Sequence, residues 1–220
     1  MNMLFQCKQL KPLGEQVCKE LWKKSTIIEI ESSTYIWTKG QDVNSIYVLL
    51  EGAVYFSEID KEGTETVFYP QYPVNVFGES EVFLSLSNYN NYARSISKSK
   101  IAVLDKALFI HQLELNPAYS RWWLTEMTQR VQFIKKLRMA TIQNSPEDRV
   151  IQALIEAYQH SRSGEEVCEF AYTQDIFANL LGLSRRVVNR VLNDLESRGY
   201  LNLEYGKVVI KESIFELRKR

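Results

Sequence analysis

The pattern of hydrophobic and polar positions changes along the chain, and its first part predicts short strands. Between residues 26 and 105, runs rich in β-branched and aromatic residues alternate with turn signals such as Lys39-Gly40 and Glu51-Gly52. Closely spaced short strands of this kind indicate a sandwich or a barrel. A short amphipathic helix at Gly14–Lys24 precedes them. The predicted strands are Ile27–Ile30, Tyr35–Trp37, Ile46–Leu50, Ala53–Phe56, Thr66–Tyr69 and Ile101–Leu104.

A helical pattern follows the strands. Apolar residues recur every three or four positions between Pro117 and Ile142, which predicts one helix about 35–40 Å long. Such a helix is long for a small domain, and part of its apolar spacing fits a coiled-coil seam. We therefore expect a dimer interface, the alternative being a helix packed wholly against its own β domain. The expected interface residues are Leu124, Met127, Val131 and Ile134.

A domain boundary is predicted near residue 145. Ser145 is a good N-cap, Pro146 suits the first helical position, and Glu147 and Asp148 favour the positive end of the helix dipole. A new helix therefore begins here and runs to about His160. The chain divides into a β-rich domain (1–116), a long helix (117–144) and a second domain (145–220).

The most specific motif lies in that second domain. Thr173 caps a short helix that Gly182 ends in a left-handed backbone conformation, and Ser184 caps a second helix. Ala178 is small enough to let the two helices approach closely. Together these features predict a helix-turn-helix. The inward positions are Phe177, Leu181, Leu183, Val188 and Val191.

The outward face of the second helix has the chemistry of a DNA-contacting surface. Its first residues occupy the position where a recognition helix reaches base edges. Arginine can bind guanine through two hydrogen bonds, and asparagine can do the same with adenine. The alternative is a solvated basic face. The predicted DNA contacts are Ser184, Arg185, Arg186, Asn189 and Arg190, with Thr173 and Gln174 on the preceding helix.

A β-hairpin follows the second helix. The segments Tyr200–Leu203 and Lys207–Ile210 flank Glu204-Tyr205-Gly206 and predict two short strands. In a winged helix this hairpin lies beside the phosphate backbone, so we expect Lys207 to contact it. The alternative is a purely structural hairpin.

Composition limits the classes of function. The formal net charge is zero, which counts mildly against a nucleic-acid binder, although phosphate contacts are local. No segment approaches the roughly 20 apolar residues that span a bilayer, and no secretory signal is evident. We therefore expect a cytoplasmic protein with no membrane partner.

The sequence predicts neither an enzyme nor a metal site. His111 and His160 are far apart, and there is no glycine-rich phosphate loop and no metal-ligand spacing. Cys7, Cys18 and Cys168 are widely spread, so we expect reduced, partly buried thiols. A redox sensor based on Cys7 or Cys18 is the alternative.

The chain resembles the cyclic-AMP receptor protein/FNR (CRP/FNR) family of bacterial transcription regulators over nearly its whole length. The resemblance implies an α+β fold with an N-terminal cyclic-nucleotide-binding-like β roll, a long dimerisation helix and a C-terminal winged helix-turn-helix. The first domain would then be a sensor. The matching motifs are Gly40, the segment 46–54, the Gly63 hairpin, Phe77-Gly78-Glu79, Val103-Leu104-Asp105 and the segment 183–192.

The resemblance also places an effector pocket at Gly78, Glu79, Ser80, Tyr89 and Asn90. Members that bind cyclic AMP hold its phosphate with an Arg-Ser or Arg-Thr pair, but those positions fall near Tyr89 and Asn90. Burying a phosphate without a positive partner is costly. Arg94-Ser95 lies near in sequence, but a shift in strand register changes which face a side chain occupies. We therefore do not expect cyclic AMP as effector.

Other cofactors of the family are not expected either. The cysteine cluster that holds iron–sulfur in oxygen-sensing members is missing, and neither histidine marks a haem site. The effector stays open between a small organic ligand and none.

The sequence thus predicts a homodimeric regulator that binds double-stranded DNA at a pseudo-palindromic operator, with half-sites ~34 Å apart. An activator would also contact RNA polymerase. Arg186 stands where cyclic-AMP-responsive members have glutamate, so we expect a different operator. The alternative function is a small-molecule-binding module whose winged helix mediates protein contacts.

Overall fold

The computed structural model of the chain describes residues 3–71, 73–143, 145–160, 167–171, 174–204 and 207–219. The strands are β1 Thr26–Ile30, β2 Tyr35–Trp37, β3 Ser45–Glu51, β4 Val54–Ile59, β5 Glu65–Gln71, β6 Asn75–Phe77, β7 Tyr92–Ser95, β8 Ser99–Asp105, β9 Val167–Ala171, β10 Leu201–Glu204 and β11 Lys207–Lys211. The α-helices are α1 Glu15–Lys24, α2 Glu79–Phe83, α3 Lys106–Leu115, α4 Pro117–Gln143, α5 Pro146–His160, α6 Gln174–Leu181 and α7 Arg185–Ser197. Short 3-10 helices lie at Met3–Gln6, Lys11–Leu13 and Glu212–Lys219. The predicted α+β class is confirmed.

The first eight strands form two sheets. Their orders are β1-β8-β3-β6 and β2-β7-β4-β5. The central strand β3 is buried from Ile46 to Leu50, since helices α2 and α3 contact it. An unbroken apolar run is what a strand covered on both faces requires. Each of the six strands predicted in this region overlaps an observed strand.

Two strands of this region were not predicted. Strand β6 has three residues, and β7 has four with only two inward side chains, Ala93 and Ser95. Such short segments have little periodic signal of their own. They become strands because β3 and β4 offer them backbone partners.

The N-terminal segment and the start of α4 pack against the roll. Leu10, Cys18, Tyr119 and Trp123 all belong to the core of buried residues. The Tyr119 hydroxyl donates a 2.8 Å hydrogen bond to the Gln9 carbonyl. This pairing of a buried phenol with a backbone acceptor fixes the first turns of α4.

The C-terminal part has helices α5, α6 and α7 and a three-stranded sheet of order β10-β11-β9. Strand β9, which pairs with β11, was not predicted, because its five residues show no clear alternation. The chain forms two compact units, Met1–Glu58 with Tyr69–Gln132, and Ile59–Phe68 with Phe133–Arg220. Helix α4 therefore belongs partly to each unit.

Among the helices that the structure describes, none combines the length and apolarity needed to cross a bilayer.

Candidate nucleic-acid interface

A helix-turn-helix occupies residues 174–197. Gly182, between α6 and α7, has φ +62°, and the Leu183 amide donates a 3.0 Å hydrogen bond to the Ala178 carbonyl. This left-handed glycine turn ends α6 as the sequence predicts. The side chains between the helices are buried, so α7 is held on a packed base. They are Phe177, Ala178, Leu181, Val188, Val191, Leu192 and Leu195.

The first turns of α7 present positive charge to solvent. Ser184 is the N-cap, and its hydroxyl accepts a hydrogen bond from the Val187 amide at 3.4 Å. Arg186 and Arg190 are exposed, and neither has an ion-pair partner among the described residues. Both guanidinium groups are therefore available to an anionic partner.

The arginine at the end of α7 is different. The Arg198 guanidinium is 2.9 Å from Asp194 and 3.6 Å from Glu147 of α5, and it lies 5.1 Å from the Tyr200 ring centroid. These contacts pair the positive charge of Arg198 with acidic groups of the same domain. Arg198, the residue after the helix, therefore differs from Arg186 and Arg190, which have no ion-pair partner among the described residues.

Gln174 and Arg185 are in direct contact. The Gln174 Oε1 accepts hydrogen bonds from Arg185 Nε at 2.7 Å and from Asn189 Nδ2 at 2.9 Å. Asp175, at the start of α6, lies 3.6 Å from the same guanidinium. Three predicted DNA contacts are thus brought together. Thr173, also predicted, lies outside the described residues.

The wing hairpin is formed by β10 and β11. Lys207 pairs in register with Glu204, and their side chains form a 3.2 Å ion pair. Lys207 can therefore contact a DNA phosphate only if its ion pair with Glu204 is shared or broken. The hairpin itself overlaps the predicted strands.

The predicted effector residues lie in different surroundings. Glu79 is buried and forms an ion pair with Arg130 of α4, whereas Ser80 and Asn90 are exposed. Tyr89 is buried, and its ring stacks on Trp37 with centroids 4.3 Å apart. Gly78 is buried beside Tyr47, with φ +79°. Three of the five predicted residues are therefore buried and two are exposed.

Aromatic rings occupy the interior of the roll around Tyr89. Trp37 contacts four other rings at centroid distances between 4.3 and 5.7 Å. Its indole nitrogen donates to Asn91 at 2.9 Å, and Asn91 donates to Glu81 at 3.2 Å. Burial raises the pKa of the Glu81 carboxyl, with smaller opposing effects of its hydrogen bonds. The four rings are those of Tyr47, Phe56, Phe77 and Tyr89.

Arg130 is a site residue that the sequence analysis did not single out. It lies 51 positions from Glu79, and no local pattern links the two. The one sequence feature that pointed to such a residue was Glu79 itself, because a carboxylate that becomes buried needs a polar or positive partner.

Arg94 does not replace the missing phosphate-binding arginine in the structure. On β7, Ala93 and Ser95 are buried, while Arg94 is on the opposite face. Its Nε donates to the Ser33 carbonyl at 2.9 Å, and its guanidinium lies 5.1 Å from the Tyr35 ring centroid. The guanidinium is thus bound outside the interior of the roll.

The predicted seam of α4 has two exposed members. Leu124 is 69% exposed and Val131 is 56% exposed, whereas Met127 packs partly against the core. The side chain of Ile134, the fourth predicted seam residue, lies outside the described part of the structure. Leu124 and Val131 are seven residues apart and hence lie on one face of the helix.

Cys7 and Cys18 are buried and free. Burial raises the pKa of the Cys7 thiol to about 12 and that of Cys18 to about 11. The Cys7 thiol donates to Gln9, and that of Cys18 to the Leu10 carbonyl. Neither thiol has the exposure or the thiolate character of a redox sensor. Within the described residues, no group of three or more histidine, cysteine or acidic side chains is arranged to hold a metal ion.

Two family models match the chain. The cyclic nucleotide-binding domain matches residues 27–116, and the Crp-like helix-turn-helix domain matches residues 148–213. Together they account for the roll and for the helix-turn-helix with its hairpin. The chain belongs to the CRP/FNR family. The predicted resemblance is confirmed, and the protein is a transcription regulator of CRP/FNR type.

Relatives within the CRP/FNR family are distant in sequence. The anaerobic regulatory protein of Bacillus subtilis is 22% identical over 191 residues, which cover 84% of this chain and 80% of the relative. The CRP-like cAMP-activated global transcriptional regulator of Mycobacterium tuberculosis is 22% identical over 196 residues, 88% of this chain and 87% of the relative. The structure of FixK2 from Bradyrhizobium japonicum has a TM-score of 0.76 at 15% identity and covers 88% of this chain and 96% of its own. At this identity the structural likeness establishes the fold.

Proposed function

We propose that this CRP/FNR-type regulator is a homodimer that binds specific DNA sequences by placing α7 of each subunit in a major groove. The observation that carries the proposal is the first half of α7, where Arg186 and Arg190 are exposed and unpaired among the described residues above a packed helix-turn-helix core. Unpaired guanidinium groups at the start of a recognition helix suit guanine edges and phosphates.

Residues 117–144 are proposed as the dimerisation helix between a sensor (1–116) and a DNA-binding domain (145–220). Leu124 and Val131 support this role, because each exposes an apolar side chain that a second copy of α4 would bury. A two-fold dimer implies a pseudo-palindromic operator with half-sites ~34 Å apart.

Cyclic AMP is not the effector in this proposal, although the mycobacterial relative is named as cAMP-activated. The interior of the roll near Tyr89 holds stacked aromatic rings, and Arg94 is bound to Ser33 on the other face of its strand. A cyclic phosphate would therefore enter without a positive partner and would have to displace packed rings.

Selection of bound sequences from a random duplex pool tests this function. Purified protein is used first without ligand, and we expect enrichment of a palindromic site. Enrichment of a site without two-fold symmetry would contradict the dimeric arrangement. If no sequence is enriched with or without candidate ligands, the DNA-binding function itself is wrong and protein contacts by the winged helix become the explanation.

A further inference from the structure

Gln174, the first residue of α6, connects the two helices of the helix-turn-helix through its side chain. Its side-chain oxygen accepts from Arg185 Nε at 2.7 Å and from Asn189 Nδ2 at 2.9 Å. A carboxamide oxygen has two lone pairs, and both are used here. The contact with Arg185 is charge-assisted, so it is the stronger of the two.

This contact decides which edge of the Arg185 guanidinium is available. With Nε bound to Gln174, the two terminal nitrogens remain, and they form the end-on edge that binds guanine O6 and N7 together. Asp175 is 3.6 Å from one of them, but the Arg185 side chain is 61% exposed, so the guanidinium stays accessible to solvent. Gln174 therefore holds the arginine in one orientation before any DNA is present.

Asn189 is placed to support Gln174. Its Nδ2 donates to Gln174, and its Oδ1 is buried with no hydrogen-bond partner. Because Oδ1 is buried, this carboxamide cannot offer adenine the paired acceptor and donor that a two-bond contact needs. Its Nδ2 instead limits where the Gln174 side chain can lie.

We propose that Gln174 is a positioning residue that sets the base preference of Arg185, with Asn189 as its support. This inference rests on the proposed DNA-binding function. It gives Gln174 and Asn189 roles that differ from the direct DNA contacts expected from the sequence. The rival explanation is that Gln174, at the first position of α6, binds a DNA phosphate itself.

A double-mutant cycle separates the two explanations. The operator selected by the wild-type protein is the probe, and Kd is measured for it and for versions with each base changed in one half-site. The variants are Gln174→Met, which keeps the side-chain volume but has no strong acceptor, Arg185→Ala, and the two combined. The base pair at which Arg185→Ala abolishes preference identifies the contact of that arginine.

We expect Gln174→Met to reduce discrimination at that base pair by about fivefold, the equivalent of one lost hydrogen bond, and to leave other positions unchanged. In the Arg185→Ala background, Gln174→Met should have no further effect on discrimination at that base pair. Gln174→Glu keeps the acceptor and should keep the preference while weakening binding to all sequences alike, because its charge repels phosphates. Unfolding curves of all variants ensure that the comparison uses folded protein.

Equal loss of affinity in both backgrounds, with base preference unaltered, would overturn the inference and assign Gln174 to a phosphate. If the wild-type protein selects no operator, the proposed function fails instead. The two failures are therefore distinguishable.

Discussion

Cys7 and Cys18 show what burial does to reactivity at the scale of one residue. Desolvation raises both pKa values, to about 12 and about 11, so at neutral pH neither forms an appreciable amount of thiolate. In a Cys168→Ser variant, the two remaining thiols should react with a thiol-specific dye only after denaturant is added. Rapid labelling of the native variant at pH 8 would restore the redox hypothesis for one of them.

Glu81 gives a prediction about pH. Burial raises the pKa of its carboxyl, so the folded protein binds the proton more tightly than the unfolded chain does. The contribution of Glu81 to stability is therefore greatest below its unfolded pKa and is lost as the pH rises through its folded pKa. Gln at this position keeps an acceptor for Asn91 but does not titrate.

We expect Glu81→Gln to unfold at a higher denaturant concentration than the wild type at pH 7, with the difference shrinking as the pH falls towards the ordinary glutamate range. Urea titrations at several pH values measure this. A constant difference at all pH values would show that charge is not the cause.

Arg190 is the exposed arginine that tests the DNA surface most simply. Arg190→Ala should weaken binding to the selected operator by ~1–3 kcal/mol if the guanidinium contacts a base. Arg198→Ala is the matched control, since it removes an arginine directly after the same helix that is already ion-paired. Anisotropy titrations that gave equal losses for both variants would contradict a specific role for Arg190.

At the scale of one element, α4 has two different faces. One side packs Tyr119 and Trp123 against the roll, and the other exposes Leu124 and Val131. A charge at an apolar dimer seam would be buried without a partner. Leu124→Glu should therefore shift the protein from dimer to monomer in sedimentation experiments.

The control for that variant is Gln129→Glu, which adds the same charge at an exposed position on a different face of α4. It should leave the dimer unchanged. Dissociation by both variants would indicate general repulsion, and dissociation by neither would exclude the seam.

The Glu79–Arg130 ion pair joins α4 to the roll within the first unit. Arg130→Met would leave a buried carboxylate without its positive partner, which typically costs ~3–5 kcal/mol. We expect the lower end of this range, because the Arg130 side chain is 27% exposed and water therefore reaches the ion pair. Denaturant unfolding measures the loss. Adding Glu79→Gln should recover part of it, and an Arg130→Met protein as stable as the wild type would show that the pair is unimportant.

At the scale of the whole molecule, the question is whether a ligand controls DNA binding. A ligand that binds only the folded state stabilises it, by about 2.7 kcal/mol at a hundredfold excess over Kd. We expect millimolar cyclic AMP to leave the unfolding temperature unchanged. Stacked aromatic rings occupy the interior of the roll near Tyr89, and the Arg94 guanidinium is bound to Ser33 on the other face of its strand. A saturable increase would contradict this expectation.

Features that depend on local spacing could be predicted from the amino-acid sequence. The helix-turn-helix follows from Gly182, the N-cap Ser184 and the apolar positions between the helices, and the same spacing placed Arg185, Arg186 and Arg190 on the outward face. The strands with long apolar runs and α4 were predicted for the same reason. These signals are contained within one or two turns or one strand, so no distant partner is needed.

The tertiary structure sets the contacts between residues far apart in the chain. It paired Glu79 with Arg130, placed Tyr89 in an aromatic cluster and joined Gln174 to Asn189. It also made strands of β6, β7 and β9, whose residues have little periodic signal of their own. In each case the partner is set by how the chain folds back on itself, and hydrophobic periodicity contains no information about which distant side chains will meet.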